Sequence, residues 1–291
     1  MKVAIYSQYP KKQSKEALKV LTKTLQERKA SFFLEAEFYK DIKSKLGNLS
    51  NYKVFNILDE SFDLLISIGG DGTILRAITF VRDLNIPIIG INTGRLGFLA
   101  TIQTENIKEA IDHIYNKKYS LSKRTLLAIE TTPENKDIID LDFALNEIAV
   151  SRKNTTSMIT VETKLNGEYL TSYWSDGLII ATPTGSTGYS LSCAGPVITP
   201  DTTSFVLTPI APHNLSARPL VIEDSTIIEL KVSGREDNYL VSLDSRIATL
   251  SNDTVITIKK APFTINMIEF DSESFLTTLR KKLLWGEDKR N

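Results

Sequence analysis

Three glycines and an aspartate form the most informative stretch of the chain, Gly69-Gly70-Asp71-Gly72-Thr73, which follows an apolar run. Glycine lets the backbone come close to a ligand, and N–H groups at a helix start favour an anion such as phosphate. The stretch lacks the lysine of a GxxxxGK[ST] loop, and its spacing differs from GxGxxG. In phosphoryl transfer a carboxylate beside phosphate either binds Mg²⁺ or takes the proton of the attacking hydroxyl. The alternative is a tight turn in which Asp71 or Thr73 only caps a helix.

A second polar stretch follows another apolar run, with the sequence SDGLIIATPTGSTGYSLSCAGP at 175–196. Its hydroxyl groups, glycines and Tyr189 together offer adaptable hydrogen bonds, close approach and a stacking face. Asp176 near its start would pair with a cationic ring, an amide or a turn N–H. The alternative is a Ser/Thr-rich loop with a helix cap at Ser186 or Thr187.

An Asn-Glu pair, Asn146 and Glu147, lies inside a β-like run, where both residue types are disfavoured. The amide of Asn146 donates and accepts hydrogen bonds, and the carboxylate of Glu147 suits vicinal ribose hydroxyls. A hairpin turn or exposed edge is the alternative. Phe98, in the loop INTGRLGFLA, would stack on a planar ring or simply join the core. Asp244 and Arg246, at a strand end, are interpreted as turn residues.

The apolar pattern around the glycine stretch predicts an open α/β domain. Continuous apolar runs predict strands at 2–7, 62–70 and 86–94, and helical spacing predicts helices at 14–30 and 73–85. Because strand and helix alternate, the sheet should be mostly parallel. Ligands of such sheets bind at the carboxyl ends of the strands, where the glycine stretch falls.

After about residue 120 the pattern changes to short, alternating β-rich runs, with Asn166-Gly167 as a hairpin signal. A last strand at 263–270 and an amphipathic helix at 274–285 are expected to return to the first domain. The fold class predicted is therefore an α/β N-terminal domain with a mostly parallel sheet, an all-β C-terminal domain and a returning C-terminal helix. The predicted domains are 1–120, completed by about 264–291, and 121–263.

Composition narrows the function classes. The 291 residues include 35 basic and 35 acidic side chains, so no net charge favours nucleic acid or an anionic membrane. A single cysteine, Cys193, excludes an intrachain disulfide, and two histidines with one cysteine cannot build a zinc site unaided. The N-terminus is not typical of a signal peptide, and no apolar window reaches the roughly 18 residues of a membrane span. We expect a cytoplasmic protein.

The polar motifs occur in an order that resembles the NAD kinase family. They are the GGDGT stretch, the Asn-Glu pair, the run from Thr182 to Tyr189 and the segment from Pro209 to Pro219. GGDGT alone is shared with diacylglycerol, sphingosine and phosphofructokinase-type kinases, whereas the Asn-Glu pair with TPTGSTGYSLS is more specific. The resemblance implies transfer of the ATP γ-phosphoryl to the 2′-hydroxyl of the adenosine ribose of NAD, which yields NADP. It also implies Mg²⁺ with the ATP, and a homodimer or homotetramer.

The resemblance further implies roles for individual residues. Asp71 would be the catalytic residue whose carboxylate activates the hydroxyl, Arg76 would lie near the phosphates, and Phe98 would lie by the adenine. No residue is assigned to hold a metal ion. The substrate-binding residues implied for NAD and ATP are Gly72, Arg76, Phe98, Asn146, Glu147, Asp176, Thr184, Thr187, Gly188, Tyr189, Ser190, Leu191 and Ser192.

The chain departs from the family pattern at several positions. Gly188 stands where alanine is common, Arg246 lies where glutamine is frequent, and Trp174 and Ser157 replace basic or histidine side chains. These departures bear on fine contacts and on the preference for NAD or NADH. One alternative function is a diacylglycerol-kinase-like lipid kinase, which the neutral charge and the lack of a basic amphipathic segment disfavour. The other is a nucleotide sensor without catalysis.

Overall fold

The computed structural model describes residues 1–8, 12–46, 52–154 and 157–284. The chain forms two compact units, one of Met1–Lys123 with Ile265–Asn291 and the other of Arg124–Thr264. No helix in the described ranges is long and apolar enough to cross a membrane.

The strands and helices alternate in the first part of the chain, and strands dominate the second. The strands are β1 (Lys2–Tyr6), β2 (Ser31–Glu35), β3 (Lys53–Phe55), β4 (Leu64–Gly69), β5 (Ile88–Asn92), β6 (Ile102–Gln103), β7 (Ser120–Thr132), β8 (Phe143–Ala144), β9 (Glu147–Arg152), β10 (Ile159–Leu165), β11 (Glu168–Ser175), β12 (Gly177–Ala181), β13 (Ser204–Ile210), β14 (Leu220–Glu223), β15 (Ile228–Ser233), β16 (Asn238–Leu243), β17 (Arg246–Ser251) and β18 (Val255–Glu269). The α-helices are α1 (Lys12–Glu27), α2 (Ala36–Leu46), α3 (Asp71–Val81), α4 (Ile107–Tyr115), α5 (Lys136–Ile139), α6 (Tyr189–Ser192) and α7 (Phe275–Leu283).

The first unit is built on a parallel sheet. Its strand order is β18–β5–β4–β1–β2–β3, with β6 also paired to β5, and every one of these pairs is parallel. The strands β1, β4 and β5 are buried almost throughout, which explains why they are continuously apolar in sequence. Leu18, Leu21 and Leu25 of α1 are buried in the core, as their helical spacing predicts.

Two loops start side by side at the carboxyl edge of this sheet. The last residues of β4 and β5, Gly69 and Asn92, are partners in the parallel register. The GGDGT stretch leaves β4 there and runs directly into α3, while the loop of residues 93–100 leaves β5. The helix begins at Asp71, two residues earlier than the apolar pattern predicts.

The C-terminal helix belongs to the first unit, as the sequence predicts. Ser274 caps α7 by accepting the N–H of Thr277 at 3.2 Å. The ring of Phe275 lies 6.3 Å from that of Phe98, and Lys282 donates to the carbonyl of Leu96 at 2.6 Å. Residue 285, the last of the predicted helix, lies outside the described residues.

The second unit consists mainly of antiparallel strands. One sheet has the order β14–β13–β12–β9–β16–β17, and a second set pairs β11, β10, β15 and the start of β18. Asn166-Gly167 joins β10 to β11 as the predicted hairpin. The strand predicted at 263–270 is the end of the longer β18, in which Pro262 is exposed, where a missing N–H donor costs little. The predicted fold class is confirmed.

Candidate functional site

Asp71, at the start of α3, holds the loop that follows β5. Its carboxylate accepts three backbone N–H groups, from Phe98 at 2.7 Å, Leu99 at 3.0 Å and Ala100 at 2.9 Å. The residue that caps α3 is Gly70, and it makes no side-chain cap bond. The helix-cap alternative for Asp71 is therefore wrong, because this carboxylate holds the neighbouring loop instead.

The glycines around Asp71 serve two different purposes. A Cβ on Gly97 would lie 2.6 Å from Cγ of Asp71, and a Cβ on Gly69 would overlap the side chain of Thr73. These two glycines are needed for close packing within the protein. A Cβ added to Gly70 or Gly72, in contrast, would have nothing within 4 Å, so the backbone of these two residues faces open space where a ligand can approach.

Asn92 shapes the loop that holds Asp71, a role that its sequence context does not predict. Its buried side chain donates to the carbonyls of Arg95 at 2.7 Å and Ala100 at 3.0 Å, and accepts the N–H of Gly94 at 2.7 Å. The loop also lines an open cavity of about 600 Å³. Cavities of this size accommodate small-molecule ligands. A polar residue at the end of an apolar strand was the only sequence signal for Asn92.

Two further predicted site residues lie in the same unit. Phe98 is partly buried, with Nζ of Lys282 5.5 Å from its ring centre. Arg76 lies on α3 with an exposed side chain. The ring of Phe98 therefore packs against α7 and still has an exposed part, and the guanidinium of Arg76 is accessible to an anion.

In the second unit, the Asn-Glu pair forms a polar turn between β8 and β9. Oδ1 of Asn146 and Oε2 of Glu147 are buried and have no hydrogen-bond partner among the described residues. Burial, together with the negative charge of Asp244, raises the pKa of Glu147 to about 8, and the backbone N–H of Tyr189 opposes the shift. A buried oxygen without a partner is costly, so these two atoms are candidates to accept hydrogen bonds from a ligand.

The polar run after β12 is tied to this turn. The hydroxyl of Thr182 donates to the carbonyl of Leu145 at 2.6 Å and accepts the N–H of Gly185 at 3.1 Å. A Cβ on Gly185 would overlap the backbone of Asn146. Two motifs that lie 35 residues or more apart in sequence are thus brought together by direct contact.

Gly188 also lies against the turn, because a Cβ there would be 2.7 Å from Oε2 of Glu147. Residues Thr184–Thr187 form a 3-10 helix, whose cap is Pro183, and Gly188 caps α6. Neither cap bonds through a side chain, so the helix-cap alternative for Ser186 or Thr187 is wrong.

The other predicted residues of this run differ in how accessible they are. The hydroxyl of Thr187 donates to the carbonyl of Thr184 at 3.1 Å, and that of Ser190, fully buried, bonds Thr208 at 2.8 Å. Tyr189 is 46% exposed, Ser192 is exposed and Leu191 is partly buried. Of the side chains in this run, those of Tyr189 and Ser192 are the most accessible to a ligand.

Asp176 forms an ion pair with Arg152 at 3.0 Å, a partner that the sequence pattern does not predict. Burial raises the pKa of Tyr189, and Cys193, Asp176 and Glu147 raise it further when they are ionised. These side chains therefore share one electrostatic environment.

Asp244 and Arg246 were interpreted as turn residues, yet both bond the segment that contains the Asn-Glu pair. Asp244 accepts the backbone N–H groups of residues 145–147. Arg246 donates to the carbonyls of Leu141 and Phe143.

The described residues contain no group of three or more His, Cys, Asp or Glu side chains that could hold a metal ion. A glycine loop with a fixed carboxylate at the ends of parallel strands, and a polar turn with unpartnered oxygens, are features of a phosphotransferase that binds nucleotides. The fold and these two sets of residues therefore indicate the class of the protein, a nucleotide-binding phosphotransferase.

The family profile described as the ATP-NAD kinase N-terminal domain matches residues 5–119, and the one described as the ATP-NAD kinase C-terminal domain matches residues 145–270. The chain belongs to the ATP-NAD kinase family. The family predicted from the motifs is confirmed.

Proteins named NAD kinase are similar to this chain over its full length. A protein named NAD kinase from Christiangramia forsetii is 60% identical, with 100% of both chains covered, and one from Bacteroides fragilis is 42% identical with the same coverage. The crystal structure of an NAD kinase from Archaeoglobus fulgidus in complex with ATP has a TM-score of 0.76 and 28% identity, covering 98% of this chain and 99% of that one. Yeast NADH kinase complexed with NADH has the same fold, with a TM-score of 0.85 at 23% identity, over 99% of this chain and 88% of that one. The lipid kinase alternative finds no support.

Proposed function

We propose that this chain is an NAD kinase, which transfers the γ-phosphoryl of ATP to the 2′-hydroxyl of the adenosine ribose of NAD and so makes NADP. The observation that carries the proposal is the Asp71 carboxylate, fixed by three N–H groups at the carboxyl end of a parallel sheet. The names of the relatives and the ATP in the Archaeoglobus fulgidus structure support it.

Asp71 would act on the hydroxyl that attacks. A carboxylate has about four lone-pair sites, and three N–H donors leave one for the hydroxyl. The 2′-oxygen forms a bond to the γ-phosphorus while the bond from that phosphorus to the β–γ bridging oxygen breaks. ADP leaves and the proton of the hydroxyl passes to Asp71. A positioned base of this kind contributes a factor of about 10²–10⁴ in rate.

The other residues of the first unit would hold the nucleotides. The backbone of Gly72 faces open space at the start of α3, where N–H groups and the helix dipole favour phosphate. The exposed guanidinium of Arg76 would add positive charge near the phosphates, and the accessible part of the Phe98 ring would contact adenine.

The residues of the second unit would bind NAD. Oδ1 of Asn146 would accept a hydrogen bond from a hydroxyl of NAD. The carboxyl of Glu147, protonated near neutral pH, would both donate and accept hydrogen bonds. Tyr189 would contact a base with its exposed ring, and Asp176 would engage NAD while it pairs with Arg152. The remaining contacts are proposed for Thr184, Thr187, Gly188, Ser190, Leu191 and Ser192.

We propose that Mg²⁺ enters with ATP rather than in a site built by the protein. Mg²⁺ is usually held by substrate phosphates with one or two carboxylates, so the phosphates of ATP would supply most of its protein-independent ligands. When bound, the ion would neutralise charge on the β- and γ-phosphates.

The wider setting is proposed on the same basis. The chain would work in the cytoplasm as a homodimer or homotetramer, without nucleic acid or membrane partners. Its domains would be an α/β domain of residues 1–120, completed by about 264–291, and a β-rich domain of residues 121–263. The balanced charge supports the absence of polyanionic partners.

The variant Asp71→Asn tests the catalytic role. Asparagine has almost the same shape but is a poor base, so kcat for NADP formation should fall by about 10²–10⁴ while NAD binding by calorimetry is retained. The matched control is Asp59→Asn, because Asp59 also accepts a backbone N–H, that of Ser61 at 2.8 Å, in an exposed loop of the same unit. Turnover of Asp71→Asn equal to that of the control would refute the role.

A further inference from the structure

The end of the β16–β17 hairpin holds the Asn146–Glu147 turn through one carboxylate. Oδ2 of Asp244 accepts the N–H of Leu145 at 2.9 Å, while Oδ1 accepts those of Asn146 at 2.8 Å and Glu147 at 3.2 Å. The N–H of Asp244 donates back to the carbonyl of Glu147 at 3.0 Å. Hydrogen bonds to a charged acceptor are stronger than neutral ones, so this contact fixes three consecutive peptide groups.

The backbone at Asp244 would be less strained with glycine. Its φ is +52°, in the left-handed region where a Cβ costs energy. Its charge also raises the pKa of Glu147, because both carboxyls lie close together in a partly buried site. Aspartate is tolerated in a left-handed turn, but its charge beside Glu147 is unfavourable, and the three N–H groups are the contacts that favour a carboxylate here.

Arg246 extends the same contact to the other end of the segment. Its guanidinium donates to the carbonyl of Leu141 at 2.5 Å and to that of Phe143, and lies 5.4 Å from the ring of Phe143. Residues 141–147 are thus held at both ends by side chains from one hairpin end.

We propose that Asp244 is a positioning residue for NAD binding, acting through the backbone of Leu145, Asn146 and Glu147. By fixing these peptide groups it sets the direction of Oδ1 of Asn146 and Oε2 of Glu147, the atoms left without a partner in the described structure. The inference rests on the proposed function, because it assigns those two oxygens to NAD.

The variant Asp244→Gly tests this role without straining the hairpin. Glycine suits the left-handed backbone, so the hairpin should persist while the carboxylate is lost. We expect the Kd and the KM for NAD to rise by about 10- to 100-fold, because the hydrogen bonds that Asn146 and Glu147 would make to NAD would be weakened. The KM for ATP and kcat should change little, because the lost interaction is made in the ground state and the transition state alike. Amide hydrogen exchange in residues 145–147 should become faster, and Asp244→Asn, which keeps one acceptor oxygen, should be intermediate.

The matched control is Asn166→Gly. Asn166 also has a φ of +52° at a hairpin end of the second unit, and its side chain accepts the N–H of Ile227 at 2.9 Å. This variant should keep the wild-type KM for NAD. Equal losses in the two glycine variants, or faster exchange in Asp244→Gly with unchanged NAD affinity, would overturn the inference. A wild-type chain that binds NAD without forming NADP would refute the proposed function alone, since calorimetry still compares the variants, and one that binds no NAD would refute both.

Discussion

Replacing Gly97 by alanine should displace the carboxylate of Asp71. The added Cβ would lie 2.6 Å from Cγ and 2.9 Å from Oδ2 of Asp71. Unstrained carbon contacts are about 3.5 Å or longer, so the carboxylate or the loop must move by about 1 Å. The two following N–H donors, from Phe98 and Leu99, belong to the same loop and would shift with it.

The size of the effect follows from this displacement. A misplacement of about 1 Å can lower the rate about 100-fold, which corresponds to about 2.7 kcal/mol in activation free energy. Crowding a packed site also lowers the free energy of unfolding by about 1–3 kcal/mol. Gly97→Ala should therefore remain folded at room temperature and still be nearly inactive.

Steady-state NADP formation, with circular dichroism and thermal unfolding on the same samples, measures both effects. Gly94→Ala is the control for stability, because nothing lies within 4 Å of its Cβ, and its unfolding temperature should match the wild type. If folded Gly97→Ala retained the wild-type kcat, the fixed position of Asp71 could not be what the reaction requires.

Two further predictions concern the second unit. Because the pKa of Glu147 is raised from 4.5 to about 8, the unfolded chain loses this proton at lower pH, so the free energy of unfolding should fall as pH rises from 4.5 to 8. Urea unfolding at several pH values should show that fall in the wild type but a smaller one in Glu147→Gln, and identical pH profiles would contradict the raised pKa. Thr182→Val leaves the carbonyl of Leu145 and the N–H of Gly185 without their partner, so the free energy of unfolding should fall by about 1–3 kcal/mol for each group. The control Thr249→Val, at an exposed strand position, should change it little. Equal unfolding midpoints for the two valine variants would argue against the bonds of Thr182.

Local patterns were sufficient to predict the parallel strands and the hairpin at Asn166-Gly167. Both depend on residues close together in sequence, such as the buried run of β4 that ends at Gly69. The family was identified by the resemblance of several motifs that are spread along the chain. The start of α3 was predicted too late because Gly70 and Gly72 are poor helix formers, whereas the position of Asp71 against the neighbouring loop decides where the helix begins.

The contacts that hold the site could not be predicted in the same way. Asp244 bonds residues 97 to 99 positions away, and Asp71 bonds residues 27 to 29 positions away across two strand ends. Periodicity and residue type report on neighbours along the chain, so a polar residue at a strand end looks like a turn until its distant partner is known. Asn92, which shapes the loop around Asp71, was missed for the same reason.

The central claim is that this chain makes NADP. The purified protein should be incubated with ATP, Mg²⁺ and NAD, with NADP measured by a coupled NADP-specific dehydrogenase and the new phosphate located by ³¹P NMR. We expect NADP with its phosphate on the 2′-oxygen of the adenosine ribose, and no phosphate transfer to diacylglycerol in a parallel reaction. NAD that stays unphosphorylated under these conditions, or a phosphorylated lipid, would contradict the account.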